Sequence, residues 1–319
     1  MKRIRYLLSL IVLCASIMAC SFIDTEPAQT AYAKSGSSKT SGTVTAGTRG
    51  NKLTVLTPTA SGTVVYGNGK ASIDASNTTE GYVMVAYLGS NGKVRMLIQT
   101  PAGNTYNYLM YSDGQYHVYP LTEGNGVYKI GVYENISGDQ YSVAFTQSIN
   151  VTTKDNYTMY LYPNAYVNFN AASAAVAKGA ELATSANSDL DVVSNVYHYV
   201  TGNVKYDYNK AKTVQSGYVP DVDTTLATKK GICFDYASLM ASMLRSQGIP
   251  TRLEIGYAGT EYHAWISVYT AETGWIDGVI SFDGVNWSLM DPTLGSYASK
   301  SVVKQYRESA NYYQLKYKY

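Results

Sequence analysis

The sequence predicts an all-β, Ig-like sandwich over residues 53–153 and an α+β domain over 156–319, behind an export signal and a tether. Three observations carry this reading. Between Leu53 and Thr153, β-branched and aromatic runs alternate with glycine- and asparagine-rich turns. After residue 155 helical patterning comes first and strand patterning second, the order of an α+β domain. The 319 residues are also enough for two domains, at about 150 residues each.

Lys2, Arg3 and Arg5 precede an apolar run from Tyr6 to Ala19 that is too short to cross a bilayer comfortably and is flanked like an export signal. It ends Ile17-Met18-Ala19-Cys20, which resembles a bacterial lipobox and implies that Cys20 is lipidated and becomes the new N-terminus. The rival site is Ala31-Tyr32-Ala33, where cleavage after residue 33 would give free secretion. Either way the expected location is outside the cytoplasm, on the extracellular face of the membrane or free of it. Removing residues 1–19 takes away three positive charges and no negative ones, so the formal +2 becomes −1. Bulk basicity therefore offers no argument for nucleic acid as a partner. Residues 20–52, rich in Ser, Gly and Thr, read as a flexible tether.

In 53–153 the clearest strands are 82–88, 128–134 and 142–151, with turns at Gly67-Asn68-Gly69, Asn91-Gly92 and Ser137-Gly138-Asp139. One histidine, His117, lies there, and no catalytic constellation; the region reads as a spacer or binding module. Next come an extended segment at 157–168 and a helix over 171–184 with Asn170 as N-cap. A second helix covers 188–201, where the spacing of Ser188 to Asp191 resembles a capping box. A third runs from Cys233 to Gln247, with Gly248 placed for its C-terminal turn and Pro250 beyond. Strands follow at 251–258, 262–269, 275–282 and 285–290, with Asp283-Gly284 as a hairpin turn. The basic run from Lys300 to Tyr319 reads as a solvated face. The 32 tyrosines, against 5 phenylalanines, are spread almost evenly and read as background.

Of the three cysteines, Cys14 leaves with the signal and Cys20 is lipidated or removed. Cys233 is then a lone thiol, which excludes a disulfide framework and a four-cysteine zinc site. It sits in Gly231-Ile232-Cys233-Phe234-Asp235-Tyr236-Ala237, at the start of a helix whose N–H groups and dipole favour a thiolate. Gly231 leaves room for a substrate backbone. Taken alone, Cys233 reads first as a small buried hydrophobe. Thirty residues later, the alternation of 262–269 puts His263, Trp265, Ser267 and Tyr269 on one strand face. Pro292 ends a further strand and leaves Asp291 at a sheet edge. A thiol, an imidazole and a carboxylate in this order are the parts of a nucleophile system. Asp277 is a rival for the third part, but lacks the proline and threonine that follow Asp291. His198 reads as packed or exposed. A metal site would need a fourth ligand.

The segments GICFDYA (231–237), LRSQGIPTR (244–252), HAW (263–265) and DPT (291–293) together resemble the transglutaminase-like superfamily in its bacterial secreted form, over about 188–294. The resemblance implies a papain-like fold, with the cysteine helix on an antiparallel sheet. It implies Cys233 as nucleophile, His263 as base and acid, and Asp291 as the orienting carboxylate. Asp235, Arg245 and Arg252 match the pattern and read as structural salt-bridge or hydrogen-bond positions. Phe234 stands where animal transglutaminases carry tryptophan. Gly231, Trp265 and Tyr206 are cleft-lining candidates. The implied activity is acyl transfer from an amide or peptide carbonyl through a thioester, with cross-linking, deamidation or hydrolysis as outcomes. It calls for no cofactor and no metal. The partner is a protein or peptide substrate, cell-wall peptide included, with the membrane reached through the lipid anchor. The other class kept open is a non-catalytic surface adhesion protein, with the sandwich as binder and the papain-like domain as scaffold.

Overall fold

Two-residue alternation organises the first half of the chain. The computed structural model describes residues 46–277, 280–282, 287–289 and 313–319. Its first strands are β1 (Val65–Gly67), β2 (Ala71–Asp74), β3 (Tyr82–Tyr87), β4 (Val94–Gln99), β5 (Thr105–Met110), β6 (His117–Pro120), β7 (Gly126–Ser137) and β8 (Gln140–Val151). They form two antiparallel four-stranded sheets, ordered β1-β2-β3-β6 and β5-β4-β7-β8. In β5 every second residue is buried, so Tyr106, Tyr108 and Met110 face inward while Thr105, Asn107 and Leu109 face out. Val94, Met96 and Ile98 do the same in β4. β3 is buried along its whole length.

The second half is built around one helix. After a 3-10 turn at Thr158–Leu161 come α1 (Ala174–Ala183), α2 (Asp189–Asn203), β9 (Lys205–Tyr206), α3 (Tyr208–Thr213), α4 (Val222–Thr228), β10 (Lys230–Gly231) and α5 (Cys233–Arg245). Then follow β11 (Thr251–Ala258), β12 (Glu261–Thr270), β13 (Gly274–Ile276), β14 (Ile280–Phe282), β15 (Trp287–Leu289) and β16 (Tyr313–Lys318). Helix α5 is buried from Asp235 to Arg245 and packs on α1, α2, α4, β11 and β12. Its hydroxyls are satisfied by carbonyls, Ser238 donating to Tyr166 at 2.6 Å and Ser242 to Leu239 at 2.8 Å. α1 approaches so closely that a Cβ at Gly179 would lie 2.9 Å from the Met243 carbonyl oxygen. The chain turns away beyond the helix at Gly248, whose φ of +74° is the left-handed conformation glycine adopts without strain. Helices and antiparallel sheets thus occupy separate stretches, a mixed α and β arrangement. Among the described residues no helix is long and apolar enough to cross a membrane.

Several expectations change here. Asn170 does not cap α1; its side chain accepts from the Ala172 N–H in a local turn, and the helix starts after Ser173. Ser188 does cap α2, accepting from the Asp191 N–H at 3.1 Å, but Asp191 returns its bond to the Asn187 N–H. Within 157–168, where extended chain is expected, Thr158–Leu161 form a 3-10 turn and the rest is irregular. The 275–282 strand is two short ones, β13 and β14, and the Asp283-Gly284 turn lies outside the described residues. Residues 313–318, within the run expected to be a solvated face, form β16, paired antiparallel to β11. The end of the expected tether is also held: Arg49 pairs with Asp189 at 2.8 Å and donates to the Gln247 carbonyl at 2.7 Å.

Tyrosine is not background either. Tyr108 of β5 stacks on Tyr166 at 5.8 Å, and Tyr319 meets Tyr106, Tyr108 and Tyr166 at 5.5, 5.9 and 4.6 Å. Tyr166 in turn touches Phe234 at 5.4 Å. A chain of rings therefore runs from the first sheets to the residue after Cys233. Val44–Tyr319 forms one compact unit around a continuous core.

Candidate active site

Cys233 is the first residue of α5, half-buried, and a free thiol. The strand before it, β10, pairs in parallel with β9, so that Gly231 lies opposite Tyr206 and its carbonyl accepts from the Asp207 N–H at 2.9 Å. Gly231 is required by its own helix: a Cβ there would lie 2.6 Å from the Asp235 Cβ and 3.0 Å from Oδ2. The space ascribed from sequence to substrate is filled by Asp235. That carboxylate accepts from the Ile232 N–H at 2.8 Å, one half of a capping box, and so fixes the first turn from which Cys233 projects.

His263 stands near the start of β12, half-buried, in register with Gly256 of β11. Gly256 has no room for a side chain, because a Cβ would fall 2.0 Å from the Gln314 carbonyl oxygen of β16. The register of β11 against β16 slips between Ile255 and Gly256, a bulge beside the histidine. Since α5 packs on β12, the cysteine helix and the histidine strand are directly apposed. The neighbouring Tyr262 hydroxyl senses the cysteine: it is pushed up to about 12, by partial burial first, then by Tyr317, Tyr257, Tyr166 and Cys233.

Below His263 on the same strand face lies a buried acid. Glu254 is in register with Trp265, only 4% exposed, and accepts from the Ser267 hydroxyl at 2.7 Å. Burial raises its carboxyl above the usual range, against the lowering effect of Ser267, Arg252 and Trp265. Trp265, expected to line the cleft, is instead buried at 4% exposure. Arg252 packs flat on Trp275, its guanidinium carbon 3.5 Å from the ring centre, and reaches Asp277 at 3.9 Å. Asp277, the rival third member, is 81% exposed and is engaged with Arg252. Asp291 and Cys20 lie outside the described residues.

The remaining candidates are accounted for. Tyr206 is half-buried beside Gly231, its ring 5.0 Å from Tyr208. Arg245 is fully buried with carbonyl partners only: it donates to Thr251, Tyr162 and Tyr319, and burial pulls its guanidinium below the usual range. His117 pairs with Asp113 at 3.0 Å on β6, and His198 is exposed on α2. A groove of about 280 Å³ lined by Tyr111, Tyr116, His117 and Asn164 includes no residue of α5 or β12. Sequence reasoning missed Lys210 and Tyr218, which both bond Asp235; nothing in their spacing announces it.

With this geometry in hand, comparison with known proteins bears on one segment. Residues 176–278 match the sequence model of the Transglutaminase-like superfamily. This segment is similar to a transglutaminase-like core. It contains α5 and β12, hence both Cys233 and His263. Over 88 residues, 24% of this chain and 25% of the other, it is 35% identical to a UPF0252 protein of Methanocaldococcus jannaschii. Over 68 residues, 17% of this chain and 10% of the other, it is 35% identical to a protein-glutamine gamma-glutamyltransferase of Pseudomonas aeruginosa. The matched stretch thus spans a quarter or less of these relatives. Among solved structures, red sea bream transglutaminase aligns at 13% identity with a TM-score of 0.28, covering 73% of this chain and 49% of that one.

Proposed function

We propose that the protein is an exported cysteine acyl-transfer enzyme acting on amide or peptide carbonyls. One observation carries the reading: Cys233 opens a 13-residue helix packed on the strand that bears His263, inside the transglutaminase-like core. In this mechanism His263 takes the thiol proton and the Cys233 sulfur attacks the carbonyl carbon. The Cys233 N–H, at the positive end of α5, stabilises the oxyanion. His263 returns the proton to the departing nitrogen as the tetrahedral intermediate collapses to a thioester. Asp291 binds the second imidazole nitrogen and fixes its tautomer. An amine then resolves the thioester as a cross-link, or water resolves it as deamidation or proteolysis. In the same reading Cys20 is lipidated, and the 53–153 region, as an Ig-like sandwich, holds a papain-like catalytic half at the outer membrane face.

The test compares wild-type and Cys233→Ala chains for ammonia and amine release from casein and from cell-wall peptides. Turnover should fall by at least about a thousandfold in the variant, the scale of loss when a nucleophile is removed. Equal rates would overturn the enzyme reading and leave the adhesion protein as its replacement.

A further inference from the structure

Asp235 is a fully buried carboxylate two residues beyond Cys233, and the mechanism above gives it no role. Its charge is answered from three sides. Oδ2 accepts from the Ile232 N–H at 2.8 Å and from the Lys210 ammonium at 2.7 Å. Oδ1 accepts from the Tyr218 hydroxyl. Lys210 also reaches the Tyr218 oxygen at 2.5 Å and lies 4.3 Å from its ring centre, so the three side chains form a closed triangle. Burial, then the Asp235 hydrogen bond and charge, push the Tyr218 phenol up and keep it protonated as a donor.

The triangle is held by the backbone as well. Asp207 caps α3 by accepting from the Asn209 and Lys210 N–H groups at 3.1 and 2.9 Å, which fixes the turn that presents Lys210. At Gly217, with φ of +88°, the chain turns against Leu109 before reaching Tyr218. Segment 207–218 is thus latched across the first turn of α5.

The chemistry of that turn makes the latch more than packing. A buried anion beside a nucleophile whose reactive form is also an anion opposes it through a low-dielectric interior. Unanswered, the Asp235 charge works against the helix N-terminus in the same turn. We propose that Lys210 is a positioning residue for Cys233, latched to Asp235 and Tyr218 so that the buried carboxylate does not suppress the thiolate. This inference rests on reading Cys233 as the nucleophile.

The test measures the rate at which iodoacetamide alkylates Cys233 in the folded full-length chain at neutral pH, followed on the Cys233 peptide by mass spectrometry. Lys210→Met should slow labelling by about threefold or more, because a neighbouring charge is uncovered. Lys210→Arg should restore at least half the wild-type rate. Asp235→Asn should speed labelling, since it removes the opposing charge and keeps an acceptor for the Ile232 N–H. Opposite signs for the two charge-removing variants are the signature, because a merely structural latch would move both the same way. If Lys210→Met does not fold, the sign of the Asp235→Asn effect alone decides. A wild-type rate in Lys210→Met, or slower labelling in Asp235→Asn, overturns the proposal. The nucleophile reading fails separately, if Cys233→Ala keeps turnover.

Discussion

At the residue scale, the buried acid beneath His263 makes a prediction about pH. The folded environment holds the Glu254 carboxyl above its usual value of 4.5, chiefly by burial. The folded chain therefore binds this proton more tightly than the unfolded chain. The stability gained is present in full below that value and is lost as pH rises through the folded one. Glu254→Gln keeps an acceptor for Ser267 and has no proton to lose. In urea unfolding from pH 4.5 upward, the variant should gain on the wild type as pH rises, and parallel profiles would refute this. Nothing in the sequence exposes this acid, since Glu254 reads as an ordinary strand residue. Cys233 and His263 were legible because a helix start and a two-residue alternation are local signals. The answer to Asp235 was not, because Lys210 and Tyr218 reach it through a fold of the chain.

At the element scale, β16 is the strand that composition concealed. Lys316 and Lys318 give the stretch a solvated look, yet Tyr313, Leu315, Tyr317 and Tyr319 keep strict alternation. Period two, not charge, was the signal to follow. The pairing of β16 with β11 depends on Gly256, where the two backbones nearly touch. Gly256→Ala drives a methyl into the Gln314 carbonyl, and β16 must give way. The expected cost is about 1–3 kcal/mol, the usual range for overpacking, read from denaturant midpoints. Hydrogen exchange should show lost protection at Leu253 and Tyr319, whose N–H groups each donate to the other's carbonyl at 2.9 and 2.8 Å. Unchanged protection would mean that β16 tolerates the methyl. In contrast, α5 was legible almost to the residue: apolar spacing, a glycine past its end and a proline beyond are all local.

At the scale of the whole molecule, the sequence divides near residue 155, whereas the structure has one continuous core. The patterning change is real, because strands precede it and helices follow. What periodicity cannot report is which buried faces meet. Tyr106 and Tyr108 belong to β5, yet they pack on Tyr166 and Tyr319 from the second half. Two hydrogen bonds cross the same seam, the Lys318 N–H donating to the Tyr106 hydroxyl at 3.2 Å and the Tyr160 hydroxyl to the Thr122 carbonyl at 3.4 Å. Regions joined through a shared core should unfold together, so calorimetry should give one transition with equal calorimetric and van't Hoff enthalpies. Tyr108 is the ring on which this turns. Its hydroxyl is buried with no hydrogen-bond partner among the described residues. Tyr108→Phe should therefore leave stability unchanged or slightly raised. Tyr108→Ala removes the ring and should cost about 3–5 kcal/mol. If the seam is what couples the halves, that variant should also unfold in two steps, its calorimetric enthalpy exceeding the van't Hoff value. Two transitions already present in the wild type would show instead that the halves are independent and that the tyrosines merely touch.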